Sequence, residues 1–238
     1  MKKNNASSPY VKNYRLFRII IGVLGISLPV LLWIFSGILS KGSYWIQPSI
    51  SHYYYSVMHF FFVAVLVLLG FFLIIYRGNN TLKYENSIST LAGIFAFLIA
   101  IYPTNIAGFN GFAFIQQSQW EQWFKYIHFG SATCLFICFA VFCFHFFQKS
   151  DDNYTTPEEI SKKKRRNLIY RICGWCIAVS IISIGLLSFV FTTFAETYFI
   201  NYTFVFEWIA LWAFGIAWFV KGSEIFENVK NPVIEFIR

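Results

Sequence analysis

LFRIIIGVLGISLPVLLWIFSGIL, residues 16–39, carries a single charge, Arg18. A helix rises ~1.5 Å per residue, so a stretch of this length covers the ~30 Å hydrocarbon core of a bilayer. Five more apolar stretches follow at Ser56–Tyr76, Asn86–Pro103, Phe124–Phe147, Leu168–Ala195 and Tyr202–Val220. A helix on a soluble domain keeps one polar face, whereas these are apolar all round. Lipid offers the backbone no hydrogen bonds, so each span must satisfy its own as a helix. The expected fold is therefore all-α, a polytopic membrane protein built as a six-transmembrane-helix bundle. Residues 1–238 form one integral membrane domain: a basic leader (1–15), the bundle (16–220) and a tail (221–238).

The charges orient the bundle. With the N-terminus placed in the cytoplasm, only Lys41 and Lys125 of the 19 Lys and Arg fall on the outer side. This is a positive-inside bias, and six spans then put both termini in the cytoplasm. The net charge of +8 accordingly reflects orientation in an anionic membrane and not nucleic-acid binding. The basic leader is like that of a secretory signal. Its apolar run is too long for one, however, and no A-x-A-like site follows, so the first stretch is expected to remain as a span. Trp45, Trp120, Trp123 and Trp208 near outer ends, with Trp175 and Trp218 near inner ends, fit an aromatic belt.

Two connections are longer than the rest. Thr104–Trp123 opens with Asn and Gly turn residues and continues into the aromatic Phe112–Trp123, suited to the interface. Gln148–Asn167 holds the turn Asp151-Asp152-Asn153, after which Thr156, Pro157 and Glu159 form a helix start with a capping box. That helix should run through Lys162, Lys163, Lys164, Arg165 and Arg166 into the fifth span. Five cations at the membrane surface anchor topology, and they could also gather anionic headgroups at ~1 kcal/mol each. Stripes of small residues (Ala92, Ala96 and Ala100; Gly174 and Ala178; Ala210, Ala213 and Ala217) predict close helix contacts. Pro29 should kink the first span.

Ionisable groups inside a membrane are costly, so they are the first functional candidates. Glu207 lies about five residues into span six, ~8 Å deep. His59 and His128 open spans two and four at a similar depth. Ser49, Ser51, His52 and Tyr53–Tyr55 precede span two, while Tyr102, Thr104, Asn105, Thr192, Thr193 and Glu196 share that end. If the helices bundle, these groups line an outward-facing polar vestibule, with Ser51, His52, His59, His128 and Glu207 as its candidate ligand-binding residues. Three readings stay open. In the first the groups bond neighbouring helices, in the second they hold a lipid headgroup or small molecule, and in the third His59, His128 and Glu207 bind Zn²⁺ and activate water for lipid hydrolysis. No H-x-x-x-H or H-E-x-x-H motif supports the last. Cys173-Gly-Trp-Cys176 matches C-x-x-C in letters but lies inside an apolar helix, and Cys143 and Cys173 are expected to be reduced, packed thiols.

Pro48-Ser49-Ile50-Ser51 stands before span two, Gly70 and Arg77-Gly78 mark its inner end, Gly93 through Pro103-Thr104 form span three, and His128 opens span four. This order resembles a bacterial six-helix membrane family of unknown function, similar in pattern to the damage-regulated autophagy modulators. The resemblance covers Pro48 to Phe147. It implies a six-helix bundle, fits a bacterial inner membrane, and supplies no catalytic residues. The heptahelical lipid-amidase-like hydrolases need an intramembrane Asp and an H-x-x-x-H pair, and neither is present. The expected function is a non-enzymatic membrane protein binding a lipid, a small ligand or a membrane partner, without a cofactor. A metal-dependent lipid hydrolase and a small-solute transporter are the rivals.

Overall fold

The computed structural model describes residues 9–41, 45–78, 82, 84–109, 111, 113, 115, 123–149, 156–199 and 201–223, the side chains of 9–15 and 196 excepted. Most of the leader and tail, Phe112, Trp120, the Asp151-Asp152-Asn153 turn and the Glu196 side chain therefore lie outside the described residues. Seven α-helices appear among them: α1 (Pro9–Leu39), α2 (His59–Ile75), α3 (Glu85–Ile101), α4 (Phe124–Val141), α5 (Pro157–Phe189), α6 (Thr192–Tyr198) and α7 (Tyr202–Ser223). Four of these, α1, α5, α7 and α4 with its π-helical extension, are long and apolar enough to cross a membrane. α2 and α3 are shorter apolar helices of 17 residues each. The chain is a helical, membrane-embedded protein.

Neighbours in sequence are neighbours in space, and α1 closes the ring against α7. Glycine makes the closest approaches possible. A Cβ on Gly22 would meet the Phe219 nitrogen at 2.6 Å, and one on Gly215 would meet the Gly22 carbonyl at 2.7 Å. Between α2 and α3, a Cβ on Gly93 would meet the Gly70 carbonyl at 2.6 Å, beside the fully buried Ala92 and Ala96. In lipid, where apolar surface gains little by leaving its solvent, such backbone contacts supply much of the packing attraction. The small-residue stripes of α3 and α7 are thus packed as expected, and Gly22 and Gly25 of α1 complete the α7 seam. Pro29 lies inside α1 without ending it. Near it, the Trp212 indole donates to the Ile26 carbonyl at 3.0 Å.

Three boundaries differ from expectation. Span five does not run to Ala195: α5 stops at Phe189, and Thr192–Tyr198 forms the separate α6. Span four changes pitch at its end, where Phe142–Phe146 is a π-helix. There the Gln148 amide donates at 3.0 Å to the carbonyls of both Cys143 and Phe144, and accepts from Arg171 at 3.0 Å. Span two begins later than Ser56: α2 opens at His59, and before it Ile50–Tyr55 coils into a buried 3₁₀ helix. The start of α5 matches expectation. Thr156 accepts from the Glu159 nitrogen, Glu159 reaches back to the Thr156 nitrogen, and Pro157 stands at the first helical position.

The two ends of the bundle are built differently. At the end bearing Arg18 and Lys221, the interior is aromatic: Tyr76, Phe142, Phe147 and Phe214 ring the fully buried Trp218. At the other end the interior is polar, and it is organised by the 3₁₀ helix.

Candidate functional site

Ile50–Tyr55 enters the bundle like a stopper. Its first backbone N–H groups have no partner within a helix that short, so they must find acceptors elsewhere. Glu207 of α7 provides them. Its carboxylate accepts from the Ile50 nitrogen at 2.6 Å and also from the Ser51 nitrogen. A negative group at the positive end of a helix is favourable, and charge-assisted bonds of this kind are worth ~1.5–3 kcal/mol each. Ser49 caps the same helix through the His52 nitrogen, and the Phe204 nitrogen in the first turn of α7 donates to the Pro48 carbonyl at 3.0 Å.

The remaining polar groups close the layer. His52 Nε2 faces the Ala107 carbonyl at 3.2 Å, so that nitrogen carries the proton and Nδ1 accepts from the Ser49 hydroxyl at 2.6 Å. Burial holds the His52 imidazole below its usual pKa, against the opposing pull of the Ala107 carbonyl. Tyr53 donates to the Trp45 carbonyl at 2.6 Å, and burial pushes its phenol pKa up despite a backbone hydrogen bond from Gln47. Tyr55 donates to the Thr104 carbonyl at 2.5 Å.

The histidines are held apart by separate carbonyls. His128 is 1% exposed and donates from Nδ1 to the Tyr102 carbonyl at 2.8 Å, leaving Nε2 buried without a partner. His59 is half-buried, donates from Nδ1 to the Tyr54 carbonyl at 2.6 Å and packs edge-on against the Tyr54 ring. Among the described residues, no group of three His, Cys, Asp or Glu side chains is placed to hold a metal ion, so His59, His128 and Glu207 do not converge.

The expected open vestibule is thus replaced by a packed cap. Ser51, His52 and His128 are buried in it and bonded within it. Ser51 and Glu207 also border the space beneath. That space is a cavity of about 50 Å³, walled by Leu28, Leu66, Ile99, Ala132, Phe136 and Leu211 among other apolar side chains. By volume it would take about four waters, and it is about a third of an engineered apolar cavity that admits benzene. A drug-sized ligand needs several hundred Å³.

A buried carboxylate escaped the sequence reading. Glu85, at the start of α3, is 3% exposed. Tyr76 donates to it at 2.9 Å and accepts from Arg18 at 3.2 Å, with the guanidinium 5.3 Å from the Tyr76 ring centroid. Gly78 leaves room for the Glu85 carboxylate, which any Cβ there would strike. The signal was present in the sequence: an Arg, a Tyr and a Glu stand within a turn or so of the same membrane boundary on three successive spans. The lysine and arginine cluster lies on the first turns of α5, where Lys162 pairs with Glu158 at 2.9 Å. The cysteines are free thiols, and Cys143 and Cys173 are both buried.

No curated protein and no solved structure matches the chain. A family model does match, over residues 23–221, and the chain belongs to that family, described as protein of unknown function DUF998.

Proposed function

We propose that this protein is a single-domain, six-span inner-membrane protein with both termini in the cytoplasm, and that it binds membrane lipid without catalysing a reaction on it. The single observation that carries the proposal is the apolar cavity beneath the polar cap. Its walls are hydrocarbon, its one charged neighbour is Glu207, and its size suits the end of an acyl chain. The cap faces outward on the charge pattern, and the Lys162–Arg166 cluster then meets anionic headgroups on the cytoplasmic side. The bacterial setting and the kinship with damage-regulated autophagy modulators rest on the motif order around spans two to four. Glu207 acts as a positioning residue in this scheme, holding the 3₁₀ helix over the cavity, and nucleic acid has no role.

Native mass spectrometry of the protein in mild detergent tests the proposal. The expected result is a co-purifying lipid on the wild type and its loss from Ala132→Leu, whose added side chain projects into the cavity, with an unchanged unfolding midpoint. Absence of lipid from the wild type, or equal retention in both, would contradict it. One zinc per chain in the same preparations would instead revive the hydrolase.

A further inference from the structure

We infer that the cavity opens sideways to the bilayer between α4 and α5, and that an acyl chain of a membrane lipid enters through this gap. The inference rests on the lipid-binding proposal and adds the route. Gly174 and Gly185 lie on one face of α5, since eleven residues at ~100° each return to within ~20° of three full turns. At Gly174 a Cβ would meet the Phe144 ring of α4 at 2.8 Å. At Gly185 a Cβ would meet nothing within 4 Å. The two helices therefore touch near the basic end and part toward the cap.

Burial tells the same story. Phe147 packs on Tyr170 and Phe144 on Trp175, and Cys173 and Ile177 are buried further along α5. Ser180 is the last buried residue of α5, and nothing from 181 to 189 is buried. Toward the cap α4 likewise exposes Gly130 and Thr133, and a Cβ at Gly130 would meet nothing within 4 Å. α5 leans instead on α7, where Ser188 and Tyr202 share a hydrogen bond of 2.9 Å.

α4 does not close the gap against α7. The two meet through the stacked rings of Phe139 and Phe214, 3.8 Å apart, at the floor of the cavity. Toward the cap from that stack, Ala132 and Phe136 of α4 stand across the cavity from Glu207 and Leu211 of α7. The side chains flanking the gap, Phe129, Ile182, Leu186 and Phe189, are apolar and exposed. In a membrane-embedded chain such a surface faces acyl chains, so the molecule already at the mouth is a lipid tail. Its tip then has the apolar space beneath the cap to enter.

The test uses the full-length protein in vesicles of phosphatidylethanolamine and phosphatidylglycerol, doped with a phosphatidylethanolamine carrying a diazirine at one chain end. After irradiation, cross-linked residues are mapped by peptide mass spectrometry. Cross-links are expected on Ala132, Phe136 and Leu211 of the cavity, and on Ile172, which faces lipid. Gly185→Phe, which adds a ring at a position whose Cβ meets nothing within 4 Å, should cut the cavity cross-links about fivefold while Ile172 is labelled as before. Cavity cross-links undiminished in Gly185→Phe would overturn the gap between α4 and α5 as the route but leave lipid binding standing. Labelling of Ile172 without any cavity cross-link in the wild type would overturn lipid binding and the route together.

Discussion

His52 shows how much one buried side chain in the cap can report. Both ring nitrogens are engaged, one by the Ser49 hydroxyl and one by the Ala107 carbonyl, and the neutral ring satisfies both. Burial lowers its pKa below the ordinary 6.5. The unfolded chain therefore takes up a proton at His52 before the folded one does. Stability from this group is fully present above the unfolded pKa and is lost as pH falls below it. The thermal midpoint in detergent should accordingly fall between about pH 7 and pH 5, and His52→Asn, which cannot titrate, should flatten part of that slope. An identical slope in the variant would show that His52 is not held neutral. His52 was legible as a candidate from its place before span two. Its partner Ala107 was not, because no sequence pattern announces a carbonyl brought back by a loop 55 residues away. Glu207 was legible as a lone carboxylate, yet its work on the Ile50 and Ser51 nitrogens depended on a 3₁₀ helix that periodicity does not reveal.

At the scale of elements, hydropathy located the helices well because burying backbone in lipid leaves few alternatives. The capping box at Thr156 was equally readable, since it depends only on residues three apart. The break at Val190–Phe191 was not, because it falls within the apolar run Phe189–Phe191 and no Gly or Pro marks it. The seam between α1 and α7 joins the two ends of the described bundle. There the Gly215 position faces the Gly22 carbonyl and the Ile26 nitrogen, and neither backbone group can yield without moving a helix. Gly215→Leu should therefore destabilise the protein by ~1–3 kcal/mol or more, read as a lower unfolding midpoint. Gly130→Leu is the control, since a Cβ at Gly130 meets nothing within 4 Å. Equal behaviour of the two variants would mean that α1 and α7 are not in backbone contact.

The whole molecule is asymmetric along its axis. One end is an aromatic plug around Trp218, tied across α1, α2 and α3 by Arg18, Tyr76 and Glu85. The other is a polar cap over an apolar cavity, with α5 parted from α4 beside it. An acyl chain entering at that level comes from the leaflet on the cap side, so the account stands on which way the cap faces. In the proposed orientation that end faces outward, because the positive-inside reading of the 19 Lys and Arg leaves only Lys41 and Lys125 on the outer side. Cysteine labelling on intact cells settles this most directly, using an impermeant thiol reagent and a background in which the five native cysteines are replaced. A cysteine at Ser43, in the connection on the cap side, should be labelled from outside, and one at Ser161, beside the basic cluster of α5, should not. Labelling at Ser161 and protection at Ser43 would turn the molecule over and move the lipid route to the cytoplasmic leaflet, against the orientation on which the account rests.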